Sequence, residues 1–312
     1  MSTGNGNRPT KNERRQQARE QAKEAREGQR KKERRNRLFL QSGIVLGLIA
    51  LATVITLLIV DNAKPEGPGP KNMASDGVIF EKGFEVQPSA ARTASEDPVV
   101  PKVDREKLPV DIVIYVDYMC PYCGMFEQTN QKVLDDVVSN GDANIQLNII
   151  TALNEQSMGT EYSTRAANAL GCVVNYSPKN AWKFHSALLS KAVQPKEGTE
   201  GLSNQQLIDQ AKKAGASTDA DIADCIETEQ FSNFMDAASN RALAGPIPNL
   251  ADGTELPRIQ GTPTILVNGV QYQAPTSIPA GATWQSPWED PTAFSDFLYK
   301  IINEYKSTTP AQ

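Results

Sequence analysis

Apolar and polar positions change rhythm several times along the 312-residue chain, and each rhythm predicts a different element. DIVIYVDYM, Asp111 to Met119, is too uninterrupted in its apolar character for a surface helix and predicts a buried central strand. Directly after it Phe126, Val133, Leu134, Val137 and Val138 recur on a helical period that closes at Ser139-Asn140-Gly141. NIQLNIITAL, Asn144 to Leu153, alternates apolar and polar residues and predicts a second strand. From about 158 to 244 the texture becomes helical, with Ser177 before Pro178, Ser203, and Ser217 or Thr218 in N-cap positions. Asn268-Gly269 between apolar runs predicts a type I′ hairpin, and Phe294, Phe297, Leu298, Ile301 and Ile302 mark a last helix from about Pro291 to Tyr305. A further short strand is expected around Val78 to Val86. The order strand, helix, strand, helical block, hairpin, helix predicts an α/β sheet interrupted by an all-α insertion.

One run fits none of these patterns. Leu38 to Val60 is 23 residues without a charge, bounded by Arg37 and Asp61. At roughly 1.5 Å per residue it is long enough for the ~30 Å hydrocarbon layer, and predicts a single transmembrane helix. It exceeds the ~7–15 apolar residues of a signal peptide and lacks a small-x-small site after it, so an uncleaved anchor is expected. Charge divides at the same place: residues 1–37 hold 13 Lys/Arg against 5 Asp/Glu, and the remaining 275 residues hold 19 against 32. The positive-inside rule then keeps 1–37 cytoplasmic and 61–312 outside. The basic run has interspersed Glu and no aromatic or Gly-rich recognition pattern, so it reads as a lipid-facing topogenic segment and no nucleic-acid partner is expected. Residues 61–77, rich in Pro and Gly, read as an extended linker, and 78–312 as the folded domain.

An outside location changes the meaning of the four cysteines, Cys120, Cys123, Cys172 and Cys225, because an even number of thiols normally pairs in an oxidising compartment. Cys120 and Cys123 flank Pro121-Tyr122 at the predicted strand-to-helix junction. Zinc is disfavoured because the second half of a four-ligand set is missing. His185, the single histidine, lies among apolar residues in AWKFHSALL and reads as a core side chain, so no metal is expected. A permanent bridge over two residues would constrain the unfolded chain little. A reactive pair has a positive rationale: free N–H groups at a helix N-terminus favour a thiolate, and Pro121 suits the first turn, where its missing N–H has no partner to lose. Cys120 is then the exposed nucleophile and Cys123 the resolving thiol.

CPYC after a buried strand, a helical insertion, and GTPT (Gly261 to Thr264) opening a later strand together resemble the thioredoxin fold as used by DsbA-like disulfide oxidoreductases, specifically the membrane-anchored actinobacterial forms. The likeness covers roughly Val78 to Tyr305. It implies an extracytoplasmic enzyme that donates disulfides to unfolded secreted or surface proteins, with Cys120, Pro121, Tyr122 and Cys123 at the catalytic centre and no cofactor. It implies that Thr262-Pro263 carries a cis bond beside the cysteines and that the backbone there binds the client. It also implies a structural disulfide between Cys172 and Cys225, and a DsbB-like or vitamin K epoxide reductase-like membrane partner for recycling. A reductase or isomerase, or a non-catalytic tethered peptide-binding module, are the alternatives. Family members often have a buried carboxylate six residues before the first cysteine, where this chain has Ile114. Asp117 is either its substitute or a solvated residue at the strand end.

Overall fold

A computed structural model describes residues 67–308 apart from 106, 217–219, 280 and 284, together with Lys23, Arg26 and Lys32. The expected transmembrane segment 38–60 lies outside the described residues. Among these, no helix is long and apolar enough to cross a membrane.

Among the described residues, six strands form one sheet in the order β2-β1-β4-β3-β5-β6. The strands are β1 (Val78–Glu81), β2 (Glu85–Val86), β3 (Val110–Val116), β4 (Ala143–Ile149), β5 (Thr264–Val267) and β6 (Val270–Gln271). β3 and β4 pair in parallel from Val110↔Ala143 to Val116↔Ile149, while β5 runs antiparallel to β3 with Tyr115 opposite Thr264. A parallel pair requires a crossover, and α1 (Pro121–Asn140) supplies it. Gly141 at φ 78° ends that helix, its N–H reaching the Val137 and Val138 carbonyls. The uninterrupted apolar character of β3 follows from its central position, covered on both faces. Ile112, Ile114 and Val116 join the main core with Phe126 and Leu134 of α1, whereas Val113 and Tyr115 pack with Ile150, Ile247, Leu256, Ile259 and Leu266 on the other face.

Among the described residues, five α-helices lie between β4 and β5: α2 (Tyr162–Tyr176), α3 (Ala181–Leu188), α4 (Asn204–Ala214), α5 (Ala220–Glu227) and α6 (Ser232–Ala244). α7 (Ala293–Thr308) follows the sheet, and its Phe294 meets Phe126 of α1 edge-on at 5.0 Å between ring centres. The domain is thus a mixed α/β fold with a helical insertion between β4 and β5.

Several sequence expectations are corrected in detail. The strand expected over Val78–Val86 is a tight hairpin, because Gly83 (φ 72°) and Phe84 (φ 62°) reverse the chain between β1 and β2. Ser203 caps α4 in a reciprocal capping box with Gln206, but Ser177 opens only a short 3-10 turn, Pro178–Asn180, and its hydroxyl turns to Asn180. Ser217 and Thr218 lie outside the described residues. The Asn268-Gly269 turn has the two positive φ values of a type I′ turn, 49° and 76°. Residues 67–77, read as the end of a linker, instead run along the domain. Met73 is fully buried in the core, Gly69 lies against the Phe234 ring with no room for a Cβ, and the Gly69 N–H bonds the Arg92 carbonyl. The described residues from 67 to 308 accordingly belong to one compact unit.

Candidate functional site

The edge of the site is set where β3 ends. The chain turns through Asp117-Tyr118-Met119, with the Cys120 N–H bonded to the Asp117 carbonyl at 3.0 Å, and α1 begins at Pro121. Cys120 is the N-cap in extended conformation (φ −74°, ψ 117°), and its carbonyl accepts from the N–H groups of Cys123 and Gly124. Pro121 occupies the first turn, where no intrahelical partner for an N–H exists. Both Cys120 and Cys123 are free thiols. Tyr122, between them, is 50 % exposed.

Cys120 departs from the expectation of an exposed nucleophile: it keeps 5 % of its surface, and Cys123 none. Its cover comes from the loop before β5. The Thr262–Pro263 bond is cis, and the Thr262 carbonyl accepts from Cys120 Sγ at 3.2 Å. This brings together Cys120, Cys123, Thr262 and Pro263 from opposite ends of the domain, 142 residues apart in sequence. Gln194, after α3, donates its amide to the Cys120 carbonyl at 2.8 Å and to the Tyr118 carbonyl at 3.4 Å.

The two thiols are driven apart in acidity. Cys120 is lowered to about 7, first by its hydrogen bond with the Cys123 thiol, then by the Thr262 side chain and the N–H groups of Cys123 and Tyr122, against the opposing effect of burial. Cys123 is pushed well above the ordinary thiol value, chiefly by burial and then by its bond to Cys120. The backbone N–H groups at the start of α1 contribute as expected, but the neighbouring thiol contributes more.

Asp117 is fully buried, which excludes the solvated reading. Its Oδ1 accepts from the Met119 N–H (2.9 Å) and Ser163 hydroxyl (2.7 Å), and its Oδ2 from the Leu153 N–H (3.0 Å). Its own N–H points at Cys123 Sγ, 3.5 Å away. Burial raises the carboxyl to about 6, with the three hydrogen bonds pulling the other way. Ile114 is buried in the main core and brings no acid to the site.

Sequence reasoning missed Gln194, Tyr118 and Glu127. His185 is fully buried; its Nδ1 lies 3.1 Å from the Tyr118 hydroxyl and its Nε2 3.5 Å from Glu127 Oε2, and the Ser186 hydroxyl donates to Glu127 Oε1. The available signal was spacing, since Glu127 falls one helical turn after Cys123 and so shares its inward face. Cys172 of α2 and Cys225 of α5 are joined by a disulfide, remote in sequence from Cys120 and Cys123. Among the described residues no cluster of three or more His, Cys, Asp or Glu could hold a metal ion.

A family model described as thioredoxin matches residues 104–282. The serine/threonine-protein kinase PknE of Mycobacterium tuberculosis is 30 % identical over 121 residues, which is 38 % of this chain and 19 % of the kinase. The chain therefore spans about a fifth of that relative's length. Disulfide bond formation protein D of Bacillus subtilis is 27 % identical over 169 residues, 54 % of this chain and 67 % of that protein. The reduced crystal structure of DsbA from Mycobacterium tuberculosis aligns with a TM-score of 0.48 and 24 % identity, covering 75 % of this chain and 98 % of that one. With the family model covering more than half of the sequence, from before β3 to beyond β6, the chain belongs to the thioredoxin family.

Proposed function

We propose that this chain is a thiol:disulfide oxidoreductase that works outside the cytoplasm and oxidises protein thiols through Cys120 and Cys123. The observation that carries this reading is the contrast between the two sulfurs: a Cys120 thiol near neutrality at the start of α1, and a Cys123 thiol buried one turn inward and held protonated. In the oxidised form, a client thiolate attacks Cys120 Sγ, forming a mixed disulfide and expelling Cys123 as thiolate, which takes up a proton. A second client thiolate then attacks the client sulfur, closing the client disulfide and releasing Cys120, so two electrons pass from client to enzyme. Thr262, whose carbonyl lies against Cys120 Sγ, and Pro263 serve as the platform for an extended client backbone. Cys172 and Cys225 hold the insertion together.

The direction of flow rests on the compartment. A Cys120 pKa of about 7 is nearer the ~7 of thioredoxin than the ~3.5 of DsbA, so acidity by itself favours the reductase reading. The uncharged run Leu38–Val60 with Lys and Arg on its N-terminal side supports an anchored domain facing an oxidising space, where re-oxidation by a quinone-linked membrane partner would drive the pair as an oxidase. Equilibration with glutathione separates the two: a potential near ~−120 mV supports the oxidase, and one near ~−270 mV the reductase. Cys120→Ser should abolish thiol oxidation of a reduced client, and undiminished oxidation by that variant would refute both.

A further inference from the structure

Beside the Thr262–Pro263 loop lies an open groove of about 390 Å³, which the exchange chemistry does not itself require. Its lining combines Thr262 and Pro263 with Glu255, Gln260, Gln271, Gln273 and Trp288, over Leu256. Among the described residues of this lining, Glu255 is the one charged side chain. The three glutamines line it with amide groups, whose oxygens can accept, and Trp288, Leu256 and Pro263 line it with apolar atoms. We propose that this groove binds a basic side chain, Lys or Arg, of the client close to its reacting cysteine. This rests on the oxidoreductase reading and assigns the class of client sequence that the site takes.

The chemistry matches a cation at each point. An ammonium or guanidinium donates only, and the groove offers a carboxylate and glutamine oxygens to receive it. The aliphatic stem of Lys or Arg covers apolar surface while its head stays solvated, which suits an open groove lined by both polar and apolar side chains. An indole face attracts a cation by a further increment. Position is fixed by the loop shared between the two sites. Thr262 lines the groove, and its carbonyl lies 3.2 Å from Cys120 Sγ. An extended client advances roughly 3.3 Å per residue, so the side chain that enters belongs to a residue within about three of the cysteine. An acidic side chain there would meet Glu255 unfavourably, and an aliphatic one would leave the glutamine acceptors to water.

The test uses the oxidised full chain and reduced two-cysteine peptides carrying Arg, Leu or Glu at each of the three positions on either side of the first cysteine. The readout is kcat/KM for disulfide formation. At one or more positions Arg is expected to exceed Glu by about tenfold, with Leu between, from an exposed ion pair plus a cation–π contact. Because a neighbouring Arg raises the thiolate fraction of any peptide, the decisive quantity is the part of the Arg-to-Glu ratio that depends on Glu255. Glu255→Gln should shrink the ratio about threefold, and Glu255→Lys should bring it to one or invert it. A ratio unmoved by either substitution, or within twofold of one at every position, overturns the inference while dithiothreitol is still oxidised by the wild type. If dithiothreitol is not oxidised either, the oxidoreductase reading fails and this inference falls with it.

Discussion

At the scale of single residues, Asp117 links the turn before Cys120 to the rest of the domain. One carboxylate binds Met119 beside the cysteines, Leu153 after β4 and Ser163 in α2, so it fixes three segments that meet behind Cys123. Its carboxyl is raised to about 6 from an ordinary 3.8, so the unfolded chain releases this proton at lower pH than the folded one does. Its contribution to stability is therefore fully present below about 3.8 and is lost as pH rises through about 6. Two units correspond to roughly 3 kcal/mol. The stability difference between wild type and Asp117→Asn should shift by about that amount in favour of the variant between pH 3.5 and pH 7, in urea titrations at each pH. A difference that stays flat across this interval would show that the carboxyl is not raised. The CPYC pair was legible from sequence because a short motif fell at a predicted strand-to-helix junction. The Tyr118, His185 and Glu127 cluster was not, since Tyr118 and His185 are 67 positions apart and only folding makes them neighbours.

At the scale of elements, the insertion depends on a cross-link. α5 has only eight residues, too few to be stable alone, and the Cys172–Cys225 disulfide ties it to α2 across a separation of 53 residues. Closing a loop of that size restricts the unfolded chain by about 4 kcal/mol. The double variant Cys172→Ala/Cys225→Ala should unfold in urea with a stability lower by about that amount, and a loss under about 1 kcal/mol would mean that packing of α5 suffices without the bond. The elements most visible in sequence were those with a clean period: β3 and β4, α1, and the hairpin whose Asn268-Gly269 turn dictates its own geometry. Those missed depended on backbone or tertiary detail. Nothing in VIFEKGFEV announces that Gly83 and Phe84 take positive φ and split one strand into two. A stretch with few apolar residues, such as 67–77, reads as linker until Met73 is seen filling the core.

At the scale of the whole molecule, the fold brings a strand end, a helix start and a distant loop onto one sulfur. β3 delivers Cys120, α1 orients Cys123 beneath it, and β5 begins with the loop whose Thr262 carbonyl covers the site. Order along the chain gave this arrangement its general form, since a central strand, a crossover helix and a late antiparallel hairpin leave few ways to close a sheet. The resulting asymmetry lowers the pKa of one thiol and raises that of its buried partner, which is the physical basis of the proposed exchange. The most direct measurement is the pH dependence of alkylation of the reduced full chain by iodoacetamide, with the labelled residue identified by mass. One thiol, Cys120, should react in the folded state, with a midpoint of about 7, while Cys123 stays unlabelled until unfolding. A midpoint at the ordinary ~8.5 of a free cysteine, or equal labelling of both, would contradict the proposed chemistry.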